Sequence, residues 1–370
     1  MADRESTLEK MVKRFSKAYT GKKVLITGNT GFKGSWLTLW LKSLGASVYG
    51  YSIDIPTRPS LYKIARINIP MVWGDVVDVS KITQVVKRVK PDIVFHLAAQ
   101  PLIRASYRDP IETHRVNVIG SAAVLEAVRH CPAVRAVVMI TTDKVYENQE
   151  LNKPFKETDP LGGYDPYSAS KAAAEIVITS YRSAYFNGAH YGQKHRTLIA
   201  SARAGNVIGG GDFAEDRLVP DCLRAFQAGT PVSIRNPQAV RPWQHVLEPL
   251  AGYLQLGERL LRGDVECASA WNFGPKARDA RPVKWVVNCL TEKWGPDARF
   301  KIDHRKHPHE TNYLRLDIAK AEELLAWSPR WSSETAVEKV VYFHKAWKNK
   351  EDMRKVCLGQ IKEYVEACAK

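Results

Sequence analysis

The chain has no Cys-x-x-Cys pair, no internal repeat, no low-complexity block and no dense run of lysine or arginine. Each absence excludes a class of protein. Its six cysteines, at positions 131, 222, 267, 289, 357 and 368, are scattered, which argues against a zinc site or a disulfide framework and for reduced thiols. The most apolar segments, such as Ala136–Ile140, are strand-sized, far short of the roughly 20 residues that cross a bilayer. The opening residues Met1-Ala2-Asp3-Arg4-Glu5 lack the basic stretch and apolar run of a secretory signal. A cytoplasmic protein is expected, with no metal and no membrane partner.

The formal charge is +16, which favours an anionic partner, whether nucleic acid, an acidic membrane or a phosphorylated small molecule. The basic residues are spread from Lys10 to Lys370, so a solvated basic surface is the simpler reading and nucleic acid is not expected.

With 370 residues, 45% of them apolar, the chain can form one large α/β domain and a smaller lobe. Residues 1–20 are polar, with weak helical spacing at Leu8, Met11, Val12 and Phe15, and read as a terminal extension. Strand-like runs then follow at Lys23–Thr27, Ser47–Tyr51, Met71–Trp73, Ile93–His96, Ala136–Ile140 and Thr197–Ala200. Helical patterns separate most of them, which predicts a Rossmann-like doubly wound parallel sheet. From about Asn206 the alternation loosens. The expected division is a dinucleotide-binding domain over 21–205 and a mainly substrate-binding lobe over 206–370, with some segments returning to the first domain.

Directly after the first strand stands Gly28-Asn29-Thr30-Gly31-Phe32-Lys33-Gly34, opening a helix. Such glycines make a tight turn, let backbone approach a pyrophosphate, and let the helix pack close to the strand. The helix N-terminus then offers free N–H groups to the phosphates. Gly28, Thr30, Gly31, Phe32 and Gly34 are the candidates. The Gly-x-x-Gly-x-x-Gly spacing resembles the short-chain dehydrogenase/reductase superfamily. Asp54 lies at the distance expected of a carboxylate on the adenosine ribose. Arg58 nearby hints at a 2′-phosphate, but NAD is favoured over NADP. By the same resemblance, Asp75-Val76 should meet the adenine, and Leu97-Ala98-Ala99 should pass close to the ribose and nicotinamide.

Tyr167 and Lys171 are four apart in a helix-forming run, so phenol and ammonium share a face. A neighbouring cation favours the phenolate, giving a base for an alcohol that loses a hydride. Thr141-Thr142-Asp143-Lys144 follows the strand Ala136–Ile140, at the edge where open α/β sheets bind ligands. Asp143 can protonate a leaving hydroxyl, and Lys144 can remove a carbon-bound proton.

From about Gly21 to about Trp347 the chain resembles the sugar-nucleotide 4,6-dehydratases. The motifs that carry the likeness are GNTGFKGSWL, IVFHLAAQPL, TTDK, GGYDPYSASK, RAGNVIGGGD, RPWQHVLEPL, WNFGP and HPHE with YLRLD. The Asp143-Lys144 pair is similar to the CDP-glucose branch, since dTDP-glucose dehydratases have Glu at the second position. Asn29 stands where some relatives have His, a departure expected to alter cofactor affinity more than chemistry. The resemblance implies NAD held as a catalytic cofactor and a nucleotide-sugar substrate, CDP-glucose. It implies Tyr167 as base, Thr142 on the same sugar oxygen, Lys171 beside the tyrosine, Lys144 on C5–H and Asp143 on the C6 hydroxyl. It further implies Asn206, Arg217, Arg235, Arg241 and His309 on the sugar-pyrophosphate and its nucleoside, with Gln100 a weaker candidate near the sugar. Helices at Ile111–His130 and Ser168–Tyr185 imply a homodimer or homotetramer. The competing expectations are a UDP- or dTDP-linked dehydratase, a 4-epimerase, which has no use for Asp143 and Lys144, and a non-catalytic dinucleotide-binding protein.

Overall fold

A computed structural model describes residues 17–148, 153–303 and 313–368. The expected helical spacing at Leu8–Phe15 and the candidate His309 lie outside the described residues. Six short, β-branched-rich runs form strands β1 (Lys23–Thr27), β2 (Ser47–Ser52), β3 (Met71–Trp73), β4 (Ile93–His96), β5 (Ala136–Ile140) and β6 (Leu198–Ala204). A seventh, β7 (Ala270–Phe273), arrives from far down the chain and pairs with β6. The order across the sheet is β7-β6-β5-β4-β1-β2-β3, and every pairing is parallel. Such strands are buried on both faces and so read as continuous apolar runs.

The two faces carry separate cores, because alternate residues point to opposite sides. Leu25, Val94, Val137 and Ile199 pack under helices α2 (Val79–Val89), α3 (Gly120–Arg129) and α4 (Pro166–Ala184). Val24, Ile26, Phe95 and Val138 pack with Trp36 and Trp40 of helix α1 (Phe32–Ser43) on the other face. The smaller lobe has its own cluster around α5 (Leu218–Gln227), with Val286 and Leu290 of α7 (Val283–Trp294) and Val337 and Val340 of α8 (Ser333–Lys348). Between these, α6 (Leu247–Leu261) lies in the core of the large sheet, and α9 (Met353–Cys368) closes over it through Tyr364.

The sequence expectations differ from the structure in three places. β6 runs four residues past the expected Ala200, to Ala204, all seven buried. The expected helix Ile111–His130 is interrupted by a π-turn at Arg115–Ile119, a local widening that often accompanies functional sites. Helix α4 begins two residues earlier than expected, at Pro166, because Asp165 caps it by accepting the Ser168 N–H at 2.9 Å. Proline at the first turn costs no hydrogen bond.

Candidate active site

The glycine turn leaves β1 between β4 and β2, the point at which chain order in the sheet reverses. Ligands of open α/β sheets sit at such points. Gly28 has φ +74°, and a Cβ there would fall 2.6 Å from the Ala98 nitrogen. A Cβ on Gly34 would fall 2.2 Å from the Gly28 carbonyl oxygen. Both positions therefore need glycine. Gly31 differs, since a Cβ there would meet only the Gly28 oxygen at 3.4 Å, so its backbone faces free space. Gly31 also caps α1 without a side-chain acceptor for the helix N–H groups. Open backbone in front of uncapped N–H donors fits a pyrophosphate, and by this test the residues present suit a dinucleotide. Thr30 ties the turn to the loop after β2 by donating to the Asp54 carbonyl oxygen at 2.6 Å. Asn29 is fully buried, accepting from Ser52 Oγ at 2.9 Å. It is a strut between the turn and β2.

Around the adenosine end, the Asp54 and Arg58 side chains are exposed. Asp75 accepts the Val77 N–H at 3.2 Å and the Arg115 guanidinium at 2.8 Å, while Val76 is buried beneath it. Leu97, Ala98 and Ala99 are half-buried at the end of β4. Ala98 N donates to Thr27 Oγ1 at 3.3 Å, and that hydroxyl also bonds His96 Nδ1 at 2.7 Å. Burial, with the Lys171 charge nearby, pushes His96 down to about 3, so its ring is a neutral hydrogen-bonding spacer.

The catalytic candidates meet across the carboxyl edge of β5. Thr142 caps a short 3₁₀ turn, Asp143–Val145, and its hydroxyl bonds the Asp143 carboxylate at 3.0 Å and the Tyr167 phenol. Tyr167 and Lys171 lie one turn apart on α4, both buried. Lys171 Nζ donates to the Ile140 carbonyl oxygen at 3.4 Å, directly behind the threonines. Burial lowers Lys171 to about 8, against the opposing charge of Glu175. Burial raises Tyr167 to about 12, and the groups that pull it back are the Thr142 hydroxyl and Arg217. Thr142 and Arg217 are thus the groups that favour the phenolate, against the burial that disfavours it. Asp143 is held above the usual carboxylate range by desolvation, with Lys144, Thr142 and Arg241 opposing. Its Oδ2 is buried and has no hydrogen-bond partner. A Cβ on Gly205 would come 3.0 Å from that oxygen, so the glycine of the Ala-Gly-Asn segment makes room for the acid.

Of the expected substrate residues, Arg217 bonds Asp212 at 2.9 Å and faces Tyr167. Arg241 is buried, and its charge acts on Asp143. Asn206 follows the same edge of β6, its carbonyl oxygen accepting Gln244 N at 3.1 Å. Arg235 lies at the end of the short strand Val232–Ile234 in the smaller lobe, and no hydrogen bond or ion pair among the described residues joins it to this group. Gln100 is tied into its own loop: its amide bonds Leu102 N at 2.6 Å, Leu102 O at 3.1 Å and Thr113 Oγ1 at 2.8 Å.

Two residues carried no expectation. Lys33, inside the glycine turn, faces Asp143, Lys171, Arg217 and Asp212, and burial lowers it to about 8. A lysine between two glycines reads as surface, and only its place in the fold reveals it. Asn117, on the π-turn, donates to Ser170 Oγ at 2.9 Å and to the Gln100 carbonyl oxygen at 3.1 Å. It joins the β4 loop to the turn of α4 that carries Tyr167.

The comparisons agree with this geometry. The family model for GDP-mannose 4,6 dehydratase matches residues 25–340. The chain is 48% identical to the CDP-glucose 4,6-dehydratase of Salmonella typhimurium, over 94% of this chain and 98% of that one. Among solved structures, the epimerase Mth375 of Methanothermobacter thermautotrophicus superposes with a TM-score of 0.77 at 26% identity, covering 92% and 98% of the two chains. The UDP-glucose 4-epimerase of Thermus thermophilus, in complex with NAD, superposes with a TM-score of 0.74 at 22% identity, covering 87% and 99%. With glycine turn, Thr142, Tyr167 and Lys171 assembled at one edge and the family model matched across most of the length, the chain belongs to the GDP-mannose 4,6 dehydratase family.

Proposed function

We propose that this protein dehydrates CDP-D-glucose to CDP-4-dehydro-6-deoxy-D-glucose with NAD as catalytic cofactor, a hydro-lyase step in deoxysugar and O-antigen synthesis. The observation that carries this reading is an acid and an amine, Asp143 and Lys144, set immediately after Thr142 and beside Tyr167. The likeness to the Salmonella enzyme supplies the nucleotide.

Tyr167 takes the proton of the C4 hydroxyl, and Thr142 hydrogen-bonds the same oxygen. Lys171 steadies the phenol from below and holds the ribose. NAD, held by the glycine turn Gly28–Gly34 and by Lys171, would supply a hydride acceptor and donor beside the hexose. A ketone at C4 acidifies C5–H, and Lys144 removes that proton. Asp143, whose carboxyl burial holds above the usual range, delivers a proton to the departing C6 hydroxyl as water leaves. Lys33, Arg217 and Arg241 give the cleft a positive lining suited to the pyrophosphate, Arg through its planar fork. Asn206, Arg235 and His309 complete the proposed substrate set.

We infer that residues 21–205 serve the cofactor and 206–370 mainly the substrate. Exposed Ile111, Ile119 and Ile176 on the two expected interface helices support a homodimer or homotetramer. Six unpaired cysteines suit the cytoplasm. No described helix is long and apolar enough to cross a membrane.

The test is to offer CDP-, dTDP-, UDP- and GDP-glucose separately with NAD and to assay the 4-keto-6-deoxy product. Product from CDP-glucose alone is expected. Product only from another nucleotide overturns the CDP assignment, and a C4-inverted hexose without loss of water favours the 4-epimerase reading.

A further inference from the structure

Directly behind the catalytic groups lies a buried charge cluster that the proposed mechanism leaves unused. Glu175, one turn beyond Lys171 on α4, has no exposed surface. Its carboxylate accepts from Thr141 Oγ1 at 2.5 Å, from Ser201 Oγ at 2.7 Å and from the Arg203 guanidinium at 2.9 Å. The other amine of Arg203 reaches Tyr146 OH at 2.8 Å and the Glu157 carbonyl oxygen at 3.1 Å. Tyr146 OH in turn donates to Asn272 Oδ1 at 2.7 Å. One carboxylate therefore links α4, the end of β5 and β6, and through Arg203 it reaches β7. Every one of these strands ends at the active-site edge.

We propose that Glu175 is a positioning residue: it pins the Thr141–Thr142 strand end to α4 and supplies the negative charge behind the Lys171 ammonium.

Both functions follow from geometry. Thr141 adjoins Thr142, whose hydroxyl meets Tyr167, and Lys171 donates to the carbonyl just before them. A shift of α4 against β5 would separate phenol from hydroxyl. Three donors on a fully buried carboxylate resist that shift, since breaking one leaves an unpaired polar group in the core. Electrostatically, Lys171 is buried and faces two groups that oppose its charge or offer none, Lys33 from the glycine turn and neutral His96 from β4. Glu175 is the group that favours its ammonium. Tyr167 faces Asp143, Asp165 and Arg217, and Glu175 itself faces Arg203 and Arg182.

This inference rests on the proposed hydride-transfer role of Tyr167 and Lys171, so the wild-type enzyme is run alongside with NAD and CDP-glucose. Wild-type inactivity rejects the substrate reading. A second readout, NAD affinity against pH, needs no sugar. Removing the charge in Glu175→Gln lowers the Lys171 pKa. The alkaline limb, expected near the Lys171 value of about 8 in the wild type, should move about one unit toward acid. The hydride step should slow by roughly 10- to 100-fold with little change in KM. Glu175→Asp should restore part of the limb. Thr141→Val keeps the ion pair and cuts only the strand pin, so it should slow the step and leave the limb in place. Should Glu175→Gln fail to fold, Glu175→Asp and Thr141→Val carry the test. A folded Glu175→Gln enzyme with lowered Tm but unmoved pH limb and rate overturns the proposal, as does a Thr141→Val enzyme with wild-type rate.

Discussion

At the scale of single residues, Asp143 and Lys144 stand in different surroundings although they are neighbours. Asp143 is buried with one carboxylate oxygen unpartnered, which suits a proton donor, whereas Lys144 is half-buried. Lys144→Met should leave the proton abstraction by Tyr167 intact while blocking loss of the C5 proton. Dehydration is expected to fall by roughly 100- to 10,000-fold, with absorbance of reduced cofactor rising and exchange of C5 deuterium lost. Full dehydratase turnover in that variant would remove Lys144 from the mechanism. Much of this residue set was legible because Tyr-x-x-x-Lys and Thr-Asp-Lys are local spacings, and helical or strand-end geometry turns a local spacing into a shared face. Lys33, Asn117 and Glu175 were not, because their partners are distant in sequence. Glu175 meets Ser201 and Arg203 only once β6 lies beside β5.

At the scale of elements, the glycine turn shows how backbone rather than side chains makes a binding surface. Gly28→Ala must place a methyl against the Ala98 backbone and hold φ at +74°, a strain of about 1–3 kcal/mol. Because Ala98 belongs to the loop expected at the nicotinamide, relief of the clash would displace that loop. Titration calorimetry should find NAD affinity lowered by tenfold or more, and an unchanged affinity would mean the turn tolerates a side chain. The strands themselves were readable to within a residue at β1, β3, β4 and β5, since an apolar run with short polar borders leaves little freedom. The ends of β6 and the π-turn at Arg115–Ile119 were not, because tertiary pairing with β7 and the Asn117 bonds decide them. Gln100 illustrates the same limit: its bonds to Leu102 and Thr113 depend on how the loop after β4 folds back, which local sequence does not decide.

At the scale of the molecule, three buried imidazoles set the response to acid. Desolvation lowers His96 and His245 to about 3 and His344 to about 4, against an unfolded value near 6.5. Below that value the unfolded chain binds protons that the folded chain refuses, so stability is lost as pH falls from about 6.5 toward 4. Three such groups set a slope of at most roughly 4 kcal/mol per pH unit. Glu248 and Asp221, raised by burial to about 7 and about 6, offset part of it, and Tm measured from pH 7 to pH 5 should still drop. A flat profile would mean that these carboxyls cancel the imidazoles or that the rings find proton acceptors. The return of β7 to the large sheet has a different consequence. Seven fully buried β6 residues depend on a strand that is synthesised more than sixty positions later. A chain stopped at residue 205 would leave that flank as bare, unpaired amides and carbonyls, a template for other chains. The two halves are therefore one folding unit, and the nascent protein must shield an unfinished sheet until Ala270–Phe273 emerges.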